Sequence, residues 1–278
     1  MRLIVILGRV LDPKGIVVNR RAGRIFVNRE EYVLQPADRC ALEAALRIKD
    51  SNGAEVVALP RGPLPDDDVL RQALATGADR AIYFVGQVAN LPYADDAVMT
   101  RVLAAAIERL GGADLVLTGA TTMDTGQGQL GPRLAEALGW PQIVGAWQVA
   151  IRRISESANG KVQAVRQDGT GYVAVEADLP AVVTVVPGAL KPRYPDGVRL
   201  INVYKGVGEI AEGLEQWDVA DPSTGLRAGL VGAEALKPLL ERRGQDFPPE
   251  RERGVRADGL PAEMAQTVAD ALRQRVRR

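Results

Sequence analysis

The feature that most limits how this chain can fold is a series of short, almost unbroken apolar runs, each closed by turn residues. They lie at residues 3–7, 54–59, 81–85 and 114–118. A strand with one wet face alternates apolar and polar residues. A run without alternation belongs to a strand covered on both faces, as in parallel sheets flanked by helices. Helical spacing fills the gaps. Pro36-Ala37-Asp38 opens a pattern through Ala41, Leu42, Ala45, Leu46 and Ile48, and Gly53 stops it. Asp66-Asp67-Asp68 precedes Val69-Leu70 and Ala73-Leu74, with Gly77 as the stop. Acidic residues favour a helix start, so this trio reads as a solvated first turn rather than a metal site. Residues 95–110 and a stretch around 132–138 complete the set, and residues 16–27 read as a hairpin turning at Asn19-Arg20-Arg21-Ala22-Gly23. The predicted fold class is α/β, a mostly parallel sheet with helices on both faces.

After Pro141 the pattern changes. Residues 146–154, 161–167, 171–176 and 181–186 read as strands joined by short turns at Asn159-Gly160 and Asp168-Gly169, an antiparallel addition to the same sheet. From Pro187 the chain is rich in proline and poor in long apolar runs. Residues 242–252 are charged and include Pro248-Pro249. Residues 261–276 read as a helix with Pro261 in its first turn and Met264, Val268, Leu272 and Val276 on one face. Residues 1–187 are therefore expected as an α/β nucleotide-binding domain. Residues 188–278 are expected as an extended arm ending in a helix, and an arm with little core of its own is expected to lie on a partner.

Composition excludes more than it assigns. Lys+Arg and Asp+Glu are both 35, so no basic excess marks a nucleic-acid binder. No apolar run is long enough for a membrane span, and residues 1–13 lack the length and cleavage site of a signal peptide. A cytoplasmic protein is expected. The single cysteine, Cys40, forbids an internal disulfide and reads as a small buried hydrophobe. The absence of histidine removes Ser-His-Asp chemistry, histidine acid–base work and most zinc sites. Any chemistry is then expected from a cofactor, and the chain is expected not to be an enzyme itself.

The most suggestive segment runs from Gly119 to Pro132 and contains Asp124, Thr125, Gly126, Gln127, Gly128, Gln129, Leu130 and Gly131. It sits between the fourth predicted strand and a helix, where open α/β sheets take their ligands. Its glycines allow backbone to approach a phosphate, and the following helix offers free N–H groups. Gly126-x-Gly128-x-x-Gly131 has the letters of a dinucleotide fingerprint, yet it begins well after the strand, and no acidic residue stands near Ala146-Trp147 to take a ribose. An NAD site is therefore disfavoured against a phosphate cradle of another type. Asp124 can orient a ribose or cap a turn, and Gln129 can meet a nucleotide or face solvent. Two further strand ends, Leu7-Gly8-Arg9 and Pro60-Arg61-Gly62, point to the same crevice, where Arg61 can pair with a phosphate or stand alone on the surface.

Several segments then resemble one family in order. Cys40-Ala41-Leu42-Glu43-Ala44-Ala45-Leu46-Arg47-Ile48-Lys49, preceded by Gln35-Pro36, is similar to a characteristic helix of electron transfer flavoprotein β-subunits. So are Leu70 through Ala81, the loop Asp124 to Pro132 with its Gln129-Leu130-Gly131 core, Leu179-Pro180-Ala181-Val182-Val183-Thr184, and Pro192-Arg193-Tyr194. The resemblance covers about residues 1–205. It implies an adenine-nucleotide α-hydrolase-like fold and a heterodimer with a larger α-subunit that holds the redox FAD. It implies that this subunit buries AMP, or the adenylate end of a second FAD, against Ile6, Gln35, Pro36, Ala37, Asp38, Arg61 and residues 124–131. It implies that electrons pass from flavin dehydrogenases toward a quinone-linked oxidoreductase, and that the loop from Leu190 to Val203 docks these partners. Gly197-Val198 stands where the family often has an exposed Leu. Whether the nucleotide is AMP or FAD, and whether electrons are bifurcated, stays open. A stand-alone adenine-nucleotide regulator of the same fold is the alternative.

Overall fold

The computed structural model describes residues 1–63, 67–86, 88, 95–152, 160–218, 236–240 and 257–276. The chain divides into two compact units, Met1–Glu241 and Arg242–Arg278. In the first, strands β1 (Arg2–Leu7), β6 (Glu55–Pro60), β7 (Arg80–Val85) and β8 (Leu115–Gly119) follow the apolar runs. Helices α1 (Pro36–Asn52), α2 (Asp68–Thr76), α3 (Asp96–Arg109) and α4 (Leu130–Leu138) follow the helical patterns. Four short strands precede α1 as well: β2 (Arg9–Leu11) pairs with β5 (Tyr32–Leu34), and β3 (Ile16–Asn19) pairs with β4 (Arg24–Val27) as the expected hairpin. The second half adds β9 (Gln142–Arg152), β10 (Lys161–Asp168), β11 (Gly171–Asp178), β12 (Ala181–Val185), α5 (Gly197–Lys205), α6 (Glu209–Glu212) and β13 (Leu214–Asp218).

Together these form a nine-stranded sheet ordered β11-β10-β9-β12-β8-β1-β6-β7-β13. Period two in β1 sorts the core. Leu3, Val5 and Leu7 join one cluster with residues of α1, α2 and α5, while Ile4 and Ile6 join another with residues of α3 and α4. Both faces are thus covered, as the unbroken runs require. Pro36 at the first turn and Gly53 at φ +67 bound α1.

One expectation is corrected. Residues 181–185 are not part of an antiparallel addition. β12 runs parallel to β8 and to β9, between them, and only β10 and β11 add antiparallel pairs. The physical reason is legible afterwards: all five residues of β12 are buried, as in a central strand, whereas β11 is mostly exposed at the edge. Beyond residue 188 the chain first adds packed elements to this unit. Val203 of α5 is fully buried, and β13 extends the sheet in parallel with β7 through Trp217 opposite Phe84. Short amphipathic elements that dock on an existing sheet need no long apolar run of their own.

In the second unit, α7 (Pro261–Val276) begins with the Leu260 amide donating to the Glu263 carboxylate, and Val268 and Leu272 are exposed. The expected strand end at Ile154, the Asn159 turn, Asp66 and the charged stretch 242–252 lie outside the described residues, as does the Val276 side chain. Among the described residues no helix is long and apolar enough to cross a membrane.

Candidate functional site

The carboxyl ends of β1, β6 and β8 meet the first turn of α1 in one crevice. Asp38, in that turn, is fully buried. Its carboxylate accepts the Gly8 amide through Oδ2 and the Gly119 amide through Oδ1, each at 2.8 Å. It therefore ties the ends of β1 and β8 to the helix. Gly119 is required by proximity: a Cβ there would lie 2.3 Å from Asp38 Oδ1 and 2.7 Å from Ala37 Cβ.

Arg61 arrives from the end of β6. Its Nη1 lies 3.1 Å from Thr118 Oγ1 and 3.4 Å from Asp38 Oδ1. Burial pushes the Asp38 carboxyl up to about 6, and Arg61 with the two amides only partly offsets it. Gln35, just before α1, is 1% exposed, and its Nε2 donates to the Thr121 carbonyl at 2.7 Å. That bond spends the side-chain amide on the loop and leaves no cap for α1.

Two atoms at this crevice have no partner. Gln35 Oε1 and Arg61 Nη2 are the buried side-chain nitrogen or oxygen atoms without a hydrogen bond among the described residues. One is an acceptor and the other a cationic donor. Buried polar groups are normally satisfied, so an unpaired pair at strand ends marks a place where a polar ligand can complete the bonding.

The glycine-rich loop closes over its own backbone. Thr122 donates its amide to Gln127 O and accepts Gly126 N at the tip, where Gly126 takes φ +69. The Thr122 hydroxyl meets Thr125 Oγ1 at 2.7 Å and accepts the Gln127 amide at 3.1 Å. Asp124 accepts its neighbour's amide, Thr125 N, at 2.7 Å, which is the turn-capping role. Gly128 lies close under the Ala120 carbonyl. Gln129 precedes α4, accepts from Arg133, and gives its amide to the Asp96 carboxylate.

The structure therefore brings together Gln35, Pro36, Ala37, Asp38 and Arg61, with the Thr121–Gln129 loop beside them through the Gln35 bond. Three residues of the predicted set present no side chain to this crevice. Ile6 and Leu130 are fully buried in the core cluster under α3 and α4, and Gly131 lies inside α4 against Thr184. The sequence reading missed Thr118 and Gly119 as the partners of Arg61 and Asp38. Their only signal is position: the last two residues of a buried strand, one with a hydroxyl and one without a side chain. A groove of about 810 Å³ lies elsewhere, between α1 and the β9–β11 ribbon, and none of the residues expected to hold the nucleotide lines it. Cys40 is buried and donates to the Leu190 carbonyl at 3.4 Å, consistent with a packing role.

Open parallel sheets take ligands outside the carboxyl ends of their strands. The fold defines this chain as an α/β protein with a mostly parallel sheet, and the two unpaired atoms lie at that edge. Comparison with known proteins narrows the class: the electron transfer flavoprotein domain matches residues 24–211, and the chain belongs to the electron transfer flavoprotein β-subunit family. It is 30% identical to the electron transfer flavoprotein subunit beta of Bacillus subtilis over 98% of both chains. It is 27% identical to the acryloyl-CoA reductase electron transfer subunit gamma of Anaerotignum propionicum over 99% of both. It is 32% identical to subunit CarD of the caffeyl-CoA reductase-Etf complex of Acetobacterium woodii, over 74% of this chain and 76% of that one.

Proposed function

We propose that this chain is the carrier subunit of a heterodimeric electron transfer flavoprotein. It buries an adenine nucleotide at the β1–β6–β8 crevice, and a larger partner subunit holds the redox FAD. The observation that carries this reading is the pair of unpaired buried atoms, Gln35 Oε1 and Arg61 Nη2. They suit a ligand with an amine at one end and an anion at the other, which an adenylate provides. The nucleotide is AMP, or the adenylate end of a second FAD.

Flavin, when bound to the partner, supplies the one- and two-electron chemistry. The residues of this chain bind and orient. Arg61 offers Nη2 to phosphate while Nη1 stays on Thr118 and Asp38. Asp38 keeps the two strand ends and the helix at fixed separation. The loop Asp124, Thr125, Gly126, Gln127, Gly128 and Gln129 presents backbone at the same edge.

The segment from Leu190 to Val203 serves as the docking surface for flavin dehydrogenases and a quinone-linked acceptor. Tyr194, Val198 and Ile201 are exposed there, while Val203 is buried and Arg193 pairs with Glu43 at 2.9 Å. An apolar surface on a tethered support suits repeated docking.

The test is co-expression with a candidate flavin-binding α-subunit, followed by release and quantification of bound nucleotides. About one FAD and one AMP per heterodimer supports the ordinary carrier. About two FAD and no AMP supports the two-flavin type. A lone chain that binds AMP or ATP and forms no flavin complex overturns the carrier reading in favour of a nucleotide-dependent regulator.

A further inference from the structure

The β3–β4 hairpin combines a fixed base with an exposed apolar stem. Its base is fixed. Asp12 N donates to Glu31 O at 2.8 Å and Asn28 N to Gly15 O at 2.9 Å, and Gly15 packs so closely on the Arg29 carbonyl that a Cβ would not fit. Beyond that base every residue from 17 to 32 is exposed, yet the hairpin is apolar. Val17, Val18, Ile25, Phe26 and Val27 are between 42% and 56% exposed.

The register decides which way they point. Val17 lies opposite Phe26 on one face, and Val18 opposite Ile25 on the other, beside Ile16 and Val27. Both faces are apolar, so a flat surface would leave one of them wet. A cleft covers both. A two-stranded ribbon with no core is marginal in water by itself, which gives the covered form an advantage.

The charges say what kind of cleft. The stretch 19–24 carries Arg20, Arg21 and Arg24 and no acid, and none of the three has an ion-pair partner among the described residues. The cations therefore sit at the tip and the apolar residues on the stem. A membrane would need the reverse order, because inserting the stem drags the arginines in first. A phosphate backbone would satisfy the tip and leave both apolar faces exposed. A second copy of this chain is mismatched as well: its groove between α1 and the ribbon carries Arg47 and Lys191 against a single acid, Glu176.

We propose that the β3–β4 hairpin inserts into an apolar, carboxylate-lined cleft of the flavin-binding partner subunit. This rests on the heterodimer reading above. Burial of the stem supplies affinity, and the arginine tip supplies orientation and rate of approach.

The test uses the full chain co-expressed with its flavin-binding partner. Hydrogen exchange is followed for residues 16–27 in the complex and in the isolated chain. Exchange there is expected to slow on the order of tenfold or more in the complex. The Ile25→Ser/Phe26→Ser variant, altered only at exposed positions, is expected to need about tenfold more protein to stay associated. Arg20→Glu/Arg21→Glu is expected to slow association and flatten its salt dependence. Absence of any complex with the unaltered chain overturns both readings. A complex whose hairpin exchanges as fast as in the isolated chain overturns this one alone. So does protection that appears only on vesicles of phosphatidylglycerol and phosphatidylcholine, which would mark a membrane surface. The exchange measurement needs no variant, so a poorly folding substitution does not weaken it.

Discussion

Arg61 and Asp38 meet as a buried pair: their closest atoms are 3.4 Å apart, and their side chains are 9% and 0% exposed. Asp38 Oδ1 also carries the Gly119 amide and Oδ2 the Gly8 amide, so the guanidinium is the one positive charge offsetting a fully buried carboxylate. Arg61→Ala removes it. Stability is expected to fall by about 3 kcal/mol, since removing one partner of a buried pair leaves the other charge uncompensated. AMP affinity is expected to fall about tenfold to a hundredfold, the usual worth of a hydrogen bond to a charged group. Urea melts and calorimetric titration check the two effects separately. Unchanged AMP affinity would remove Arg61 from the nucleotide site and leave it a structural pair.

Proton linkage gives a second test. Because burial raises the Asp38 carboxyl from 3.8 to about 6, its ionised form is disfavoured in the folded state. The sign follows: this group's contribution costs nothing below about pH 4, grows as pH rises toward 6, and stays at about 3 kcal/mol of lost stability above that. Glu43, Asp95, Glu55 and Glu215 are held low, so they act in the opposite sense and the total profile hides the effect. The difference between the wild type and Asp38→Asn isolates it. The variant's deficit is expected to shrink by about 2 kcal/mol between pH 4.5 and pH 7. A deficit that grows over this range would mean that Arg61 and the amides outweigh burial.

Two glycines separate packing from backbone conformation. At Gly119 the added methyl group strikes Asp38 and Ala37, so Gly119→Ala is expected to cost about 2–3 kcal/mol and to abolish nucleotide binding by displacing the start of α1. At Gly126 the methyl group meets nothing, and only the φ of +69 is unfavourable. Gly126→Ala is expected to cost about 1 kcal/mol. If the loop carries phosphate, its affinity falls as well. Wild-type affinity in that variant would take residues 124–129 out of the site.

Much of this was legible in sequence, for reasons that particular residues show. The parallel core declares itself because Leu3 to Leu7 must be dry on both faces. The edge of the site declares itself because Gly8, Arg61 and the glycine loop all follow predicted strands. What the sequence hid was depth. Ile6 and Leu130 sit at the right places along the chain, but their side chains turn into the core, and nothing in their spacing says so. Long-range pairs were hidden too. Gly119 shares no local pattern with Asp38, although 81 positions later in the chain it donates one of that carboxylate's hydrogen bonds. Strand order was hidden because β12 enters between β8 and β9, and a buried apolar pentapeptide fits a parallel or an antiparallel slot equally well.

The proposed docking segment makes the last prediction. Arg193 joins it to α1 through Glu43, whose side chain is 5% exposed, and through Asp50 at 2.8 Å. Burial pushes the Glu43 carboxyl up, but hydrogen bonds from Arg193 and Arg47 outweigh it and hold the group below its ordinary range. Arg193→Met keeps the stem and removes the fork. Stability is expected to fall by about 1–2 kcal/mol, reduced from the cost of a fully buried pair because Arg193 is one-third exposed. This loss should vanish in acid, because a carboxyl with a lowered pKa contributes stability above its unfolded value and loses it as pH falls through the folded one. Function should separate in the same variant. With the tether gone, Tyr194 and Val198 are no longer held for a partner. KM for a reduced dehydrogenase is expected to rise several-fold while kcat and nucleotide content stay constant. A fall in kcat together with loss of nucleotide would instead tie the segment from Leu190 to Val203 to the crevice, and would remove it as a docking surface.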